Sequence, residues 1–141
     1  MSPHRKQISP GSPEDWLTHA KSDLKIAKIA KEKEDIEILD EQICFHAQQA
    51  AEKALKSILL FYGIPFPFIH DLTTLVRLIR DNNISMPEEL RDITSLTPYA
   101  VEARYPGYLG EITTNDVDEA IDIAKAAITW AESIILTPPN Q

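Results

Sequence analysis

Residues 14 to 62 of this 141-residue chain contain neither glycine nor proline. The second part of that run, ICFHAQQAAEKALKSILLFY at 43–62, constrains the fold most. Ile43, Ala47, Ala50, Ala54, Ile58 and Phe61 recur at steps of three and four, the period of one helical face. Alanine fills much of that stripe, so another helix can approach closely. The neighbouring positions carry His46, Gln48, Gln49, Glu52, Lys53 and Lys56. Polar groups in mid-helix, away from either end, make this the first place to look for function.

The other segments carry helical signals too. Ser12, Pro13, Glu14 and Asp15 supply an N-cap, an early proline and acids facing the positive end of a helix. Leu17, Ala20, Leu24 and Ala27 give that first helix its buried face, and Trp16 anchors its start. Lys21, Lys25 and Lys28 read as a solvated side. A turn is expected near residues 33–36, with the second helix running from there to Tyr62. Gly63 suits the left-handed cap that ends it. Pro65 and Pro67 then make IPFPF an extended apolar strap, with Phe66 and Phe68 covering an end of the domain. His70 and Asp71 open a third helix, buried through Leu72, Leu75, Val76 and Ile79, which Asn82-Asn83 ends. Ser85, Met86, Pro87 and Glu88 predict a fourth, with Leu90, Ile93 and Leu96 inward. A short helical turn lies within residues 97–111, which hold three of the four tyrosines. Thr113 to Asp116 cap the last helix, whose face is Val117, Ala120, Ala124, Ile128, Ala131 and Ile135.

Short connections and no convincing alternating strand predict an all-α fold, an antiparallel up-and-down bundle of about five helices. The expected organisation is a flexible tail at 1–11, one helical domain at 12–137 and a C-terminal tail at 138–141. No apolar run approaches the roughly 20 residues that span a bilayer. The start lacks the apolar core of a signal peptide, so a cytoplasmic protein is expected.

Charge and composition narrow the chemistry. The formal net charge of −8 argues against nonspecific DNA binding. The single cysteine, Cys44, allows no intramolecular disulfide and no cysteine-based zinc site, and reads as a buried inert thiol. A di-iron bundle needs Glu-x-x-His pairs, and the residues three before His19, His46 and His70 are Trp16, Ile43 and Pro67. No glycine-rich phosphate loop and no G-x-S-x-G occur. No metal or cofactor is expected.

Isolated polar groups remain. His46, Gln49 and Lys53 share one face of the second helix. They form an exposed or intersubunit face, or else a polar cleft in which Gln49 hydrogen-bonds a ligand and Lys53 meets phosphate. Glu52 and Lys56 read as a solvated i,i+4 pair. His70 reads as a helix cap or a satisfied histidine, with a catalytic base as the alternative. Arg104, between Glu102 and Tyr105, can grip phosphate bidentately, or pair with an acid such as Glu102.

Four pieces in order resemble the HEPN domain family, the higher eukaryotes and prokaryotes nucleotide-binding domains. They are W-x3-A-K-x-D-L-x2-A from Trp16 to Ala27, C-F-H-A-Q-Q-A-A-E-K-A-L-K at 44–56, G-I-P-F-P-F-I-H-D-L at 63–72, and Y-x2-E-A-R-Y-P at 99–106. An alanine-rich last helix follows, and the resemblance covers roughly residues 14–136. It implies a helical bundle that forms a homodimer and partners a small nucleotidyltransferase, often as a toxin–antitoxin module. In such modules the toxin is a metal-independent ribonuclease, marked by an arginine followed after four to six residues by a histidine. By resemblance, His46, Gln49, Glu52, Lys53, His70, Tyr99, Arg104 and Tyr105 match the recurrent polar positions.

This chain departs from the ribonuclease signature. Leu109, Gly110 and Glu111 stand where a histidine would follow Arg104, and no histidine occurs after residue 70. Arg5, Arg77, Arg80 and Arg91 fail the same test. The expectation is a nucleotide- or RNA-phosphate-binding protein without the usual ribonuclease mechanism. Two alternatives stay open: a ribonuclease toxin using Arg104 with His46 or His70, and a purely structural helical interaction module.

Overall fold

The computed structural model describes residues 8, 10–101 and 106–136. The readings for Glu102, Arg104, Tyr105, the C-terminal tail and most of the N-terminal tail lie outside the described residues.

Among the described residues the chain forms five α-helices and no strand. They are α1 (Pro13–Lys33), α2 (Asp40–Phe61), α3 (Leu72–Asp81), α4 (Pro98–Val101) and α5 (Thr114–Ile135). Two 3-10 turns, Glu88–Leu90 and Ile93–Leu96, lie between α3 and α4. No helix of the described residues is long and apolar enough to cross a membrane.

Local chemistry explains the boundaries. The Ser12 side chain accepts from the Asp15 N–H at 3.1 Å, and Pro13 occupies the first turn. α2 closes on Gly63, whose φ of 70° lets the Ile64 N–H reach back to the Leu59 carbonyl at 2.8 Å. Asp71 caps α3 through the Thr73 N–H at 3.0 Å. α5 opens on a reciprocal capping box between Thr113 and Asp116, with bonds of 2.8 and 3.1 Å.

α2 is the centre of the bundle, and α1, α5, α3 and α4 all pack on it. The alanines of its stripe, Ala47, Ala50 and Ala54, are buried, as are Ala20 and Ala27 of α1 and Ala120, Ala124, Ala127 and Ala131 of α5. Small side chains at these contacts let helices lie close together. Leu55, Ile58 and Leu59 of α2 and Leu72, Leu75 and Ile79 of α3 fill the space where the larger volumes are needed.

Four expectations are corrected. The expected helix beginning near Pro87 is two 3-10 turns. Leu90, Ile93 and Leu96 are indeed buried, but their steps of three and three are the 3-10 period, in which every third side chain eclipses. Pro98 has no N–H to extend that segment as an α-helix, and instead starts α4. Phe61, expected inward, is exposed at the last turn of α2, where its ring meets Tyr62 edge to face at 5.2 Å. In the strap Ile64 and Phe66 pack, Phe66 against Trp16 at 6.1 Å, while Phe68 is 99% exposed. The turn after α1 falls at residues 34–39, later than expected: Glu34, in the left-handed region at φ 50°, caps α1.

Candidate functional site

The polar residues of α2 are organised by two carboxylates. The first is Asp23, which α1 presents from its buried side, between Ala20 and Ala27. Its Oδ2 accepts from Lys53 Nζ at 2.6 Å, and its Oδ1 lies 3.1 Å from His46 Nδ1. One acid of α1 therefore ties together two residues that are two helical turns apart on α2.

The second is Glu52, only 2% exposed. Its carboxylate accepts from Gln48 Nε2 at 3.0 Å and from Lys56 Nζ at 2.9 Å. His70 Nδ1 sits 3.0 and 3.1 Å from its two oxygens. Gln49 joins through Gln48, to whose Oε1 it donates at 2.7 Å. Lys56 is 4% exposed, and its ammonium lies 5.4 Å from the Trp16 ring centroid and 5.6 Å from that of Phe66. Burying a charge pair is costly unless geometry and further hydrogen bonds offset the desolvation. Here two aromatic rings and two more donors supply that offset.

The expected solvated Glu52–Lys56 pair is thus corrected. The i,i+4 spacing is as read, but Trp16 from α1 and Phe66 from the strap enclose it. Of the two readings of His70, helix cap or satisfied histidine, the structure agrees with the second: Asp71 does the capping, and His70 pairs with Glu52.

Both histidines are held in the same way. A carboxylate only accepts, so each Nδ1 carries the proton and donates it, which leaves Nε2 directed away from the acid. The His70 side chain is 48% exposed although its partner is buried. With neutral imidazoles the cluster balances, Asp23 and Glu52 against Lys53 and Lys56. Each histidine that takes up a second proton adds a positive charge and an Nε2–H donor.

Lys53 also lines a cavity of about 260 Å³ with Gly11, Asp15, Trp16 and His19. Larger cavities, at the α1–α2 turn and along α5, contain none of these histidines or α2 polar groups. Among the described residues no three His, Cys, Asp or Glu side chains converge as a metal site.

The structure places the expected residues in two groups around α2, His46 and Lys53 with Asp23, and Gln49, Glu52 and His70 with Gln48 and Lys56. Asp23 has a signal in the sequence: an acid three residues after Ala20 and four before Ala27 falls inside the apolar stripe. Tyr99 is set apart from the other matched positions, because its hydroxyl hydrogen-bonds with the Cys44 thiol. Arg104 and Tyr105 are outside the described residues.

Burial pushes the Cys44 thiol from an ordinary value near 9 up to about 12, more than the Tyr99 hydrogen bond pulls it down, with Asp40 and Asp116 adding to the rise. Burial, then the Cys44 and Asp116 charges, likewise push Tyr99 up to about 12. The folded chain therefore holds a proton that the unfolded chain releases above about pH 9. This contribution to stability is complete below that pH and is lost as the pH rises towards 12. At pH 8 the native thiol is expected to react with a disulfide reagent at least about 100-fold more slowly than in denaturant, since only the thiolate is nucleophilic. Equal rates would show that Cys44 is accessible.

Comparison with known proteins agrees with this architecture. The HEPN domain family profile matches residues 13–134. A crystal structure of TT1696 from Thermus thermophilus is 28% identical, with a TM-score of 0.71, over 87% of this chain and 98% of that one. The crystal structure of ST0689, described as an archaeal HEPN homologue, is 29% identical, with a TM-score of 0.67, over 86% of this chain and 96% of that one. No curated protein matches significantly.

Proposed function

The chain belongs to the HEPN domain family, and from that premise we propose that it binds the phosphate of a nucleotide or of RNA at the cluster built on α2. In this reading it acts as a homodimer, partners a small nucleotidyltransferase in a toxin–antitoxin-like module, and works without the usual Arg–His ribonuclease pair. The observation that carries the reading is His70. Its ring is half exposed, yet a buried carboxylate fixes it through Nδ1. An arriving phosphate favours the imidazolium, whose Nε2–H donates outward while Nδ1–H stays on Glu52. His46 on Asp23 repeats the unit. Lys53 keeps further N–H donors after its bond to Asp23, and Arg104 supplies a bidentate grip.

The test is titration with a fluorescent nucleotide and with labelled single-stranded RNA. Lys53→Gln and Arg104→Ala are each expected to weaken binding by about tenfold or more, the worth of a charge-assisted hydrogen bond. No binding by the wild type, or binding by both variants as tight as the wild type's, contradicts the site.

One observation favours a second reading, metal-independent RNA cleavage. Two imidazoles, each oriented through Nδ1 by a carboxylate, can serve as acid and base on a 2′-hydroxyl and a leaving oxygen. Cleavage by the wild type that His46→Ala and His70→Ala each abolish would select it.

A further inference from the structure

The end of the bundle opposite the start of α1 shows aliphatic side chains to solvent in an acidic setting. The turn at residues 34–39 is tied internally: the Ile38 N–H donates to the Asp35 carbonyl at 2.9 Å and the Glu37 N–H to Asp35 Oδ1 at 2.9 Å. On this fixed turn Ile36 is 94% exposed, and Leu39 and Ile38 are exposed beside it. The same turn forms the wall of a cavity of about 490 Å³, whose apolar lining includes Ile38, Leu39, Ile43 and Val117. Glu34, Asp35 and Asp40 line it as well. Residues 31–41 hold six carboxylates against two lysines, and one of those lysines, Lys31, pairs with Asp118 of α5. A held-out aliphatic side chain next to an apolar hollow is an anchor arrangement, and leaving both in water is unfavourable.

We infer that this face docks a partner protein through a segment with an apolar face flanked by lysine or arginine. A second copy of this chain could offer the same knob to the same hollow. A two-fold pairing would, however, set the acidic rim of one copy against that of the other. Like charges facing each other penalise that arrangement, whereas a basic rim both steers and pairs. The inference does not depend on phosphate binding, because none of its residues belongs to the α2 polar cluster.

The experiment uses a synthetic amphipathic helix of leucine and lysine as the probe, with serine/lysine and leucine/glutamate versions as controls. Wild-type protein is expected to bind the leucine/lysine helix saturably at one to one, and to bind neither control. Ile36→Ser/Leu39→Ser and Glu34→Lys/Glu37→Lys should each weaken binding about tenfold or more. These side chains are exposed, and unchanged thermal melts would show that the variants fold. Glu89→Lys/Asp92→Lys, in the acidic groove beside α5 and outside the lining of the docking cavity, should weaken binding by less than about a third of that factor, because charges outside the contact are screened by salt. Equal binding by the Ile36→Ser/Leu39→Ser variant, an equal loss in the groove variant, or no binding to the probe overturns the inference. Sedimentation showing a wild-type dimer that Ile36→Ser/Leu39→Ser dissociates assigns the face to a second copy and also overturns it.

Discussion

Replacing Glu52 with alanine is expected to destabilise the fold by about 3–5 kcal/mol, the cost of leaving a buried charge without its partner. Lys56, 4% exposed, would keep its ammonium between Trp16 and Phe66 with no carboxylate to meet it. Gln48 and His70 would each lose their acceptor too. Against a total of roughly 5–15 kcal/mol for a domain of this kind, such a loss brings the variant close to unfolding. Glu52→Leu with Lys56→Met should recover much of it, because removing both charges together leaves neither uncompensated. Urea melts of the two variants decide the matter. A loss of well under about 1 kcal/mol for Glu52→Ala is what an exposed i,i+4 pair would give, and would contradict the buried hub.

Leu55→Ala should cost about 2–5 kcal/mol by the same measurement. Leu55 is fully buried in the middle of α2, the helix on which all the others pack. Its truncation leaves a void in a close-packed core that relaxes only in part. Ile26→Ala on exposed α1 surface, where 45% of the residue already meets solvent, should cost well under half as much. Similar costs at the two positions would contradict the placement of the core.

The same contrast between local and distant information explains what is legible in the sequence. The three long helices are, because period and caps are local: Ser12 with Pro13, Gly63, and Thr113 with Asp116 each act within a few residues. The segment at 85–97 differs in type from its sequence expectation. Leu90, Ile93 and Leu96 satisfy a helical face at first sight, and only their uniform step of three distinguishes a 3-10 turn. For the site, the shared face of His46 and Lys53 is visible at a spacing of seven. Their common partner is not, since Asp23 lies 30 residues before Lys53. Glu52 and Lys56 show the limit most clearly. Their spacing is the same whether the pair is solvated or buried, and burial is decided by Trp16 and Phe66, which approach from either side in the chain. The family is legible because its four pieces are contiguous stretches. Asp23 lies within the first of them, but its role depends on α2 and does not show there.

The most direct test of the phosphate site observes the histidine nitrogens themselves. Nitrogen-15 NMR of the imidazoles, recorded while a nucleotide is titrated in, distinguishes Nε2 from Nδ1. The proposal predicts that the Nε2 signals of His46 and His70 move saturably, and with one shared affinity, while their Nδ1–H bonds to Asp23 and Glu52 persist. Saturable nucleotide binding with both Nε2 signals unmoved, or no binding at all, would contradict it.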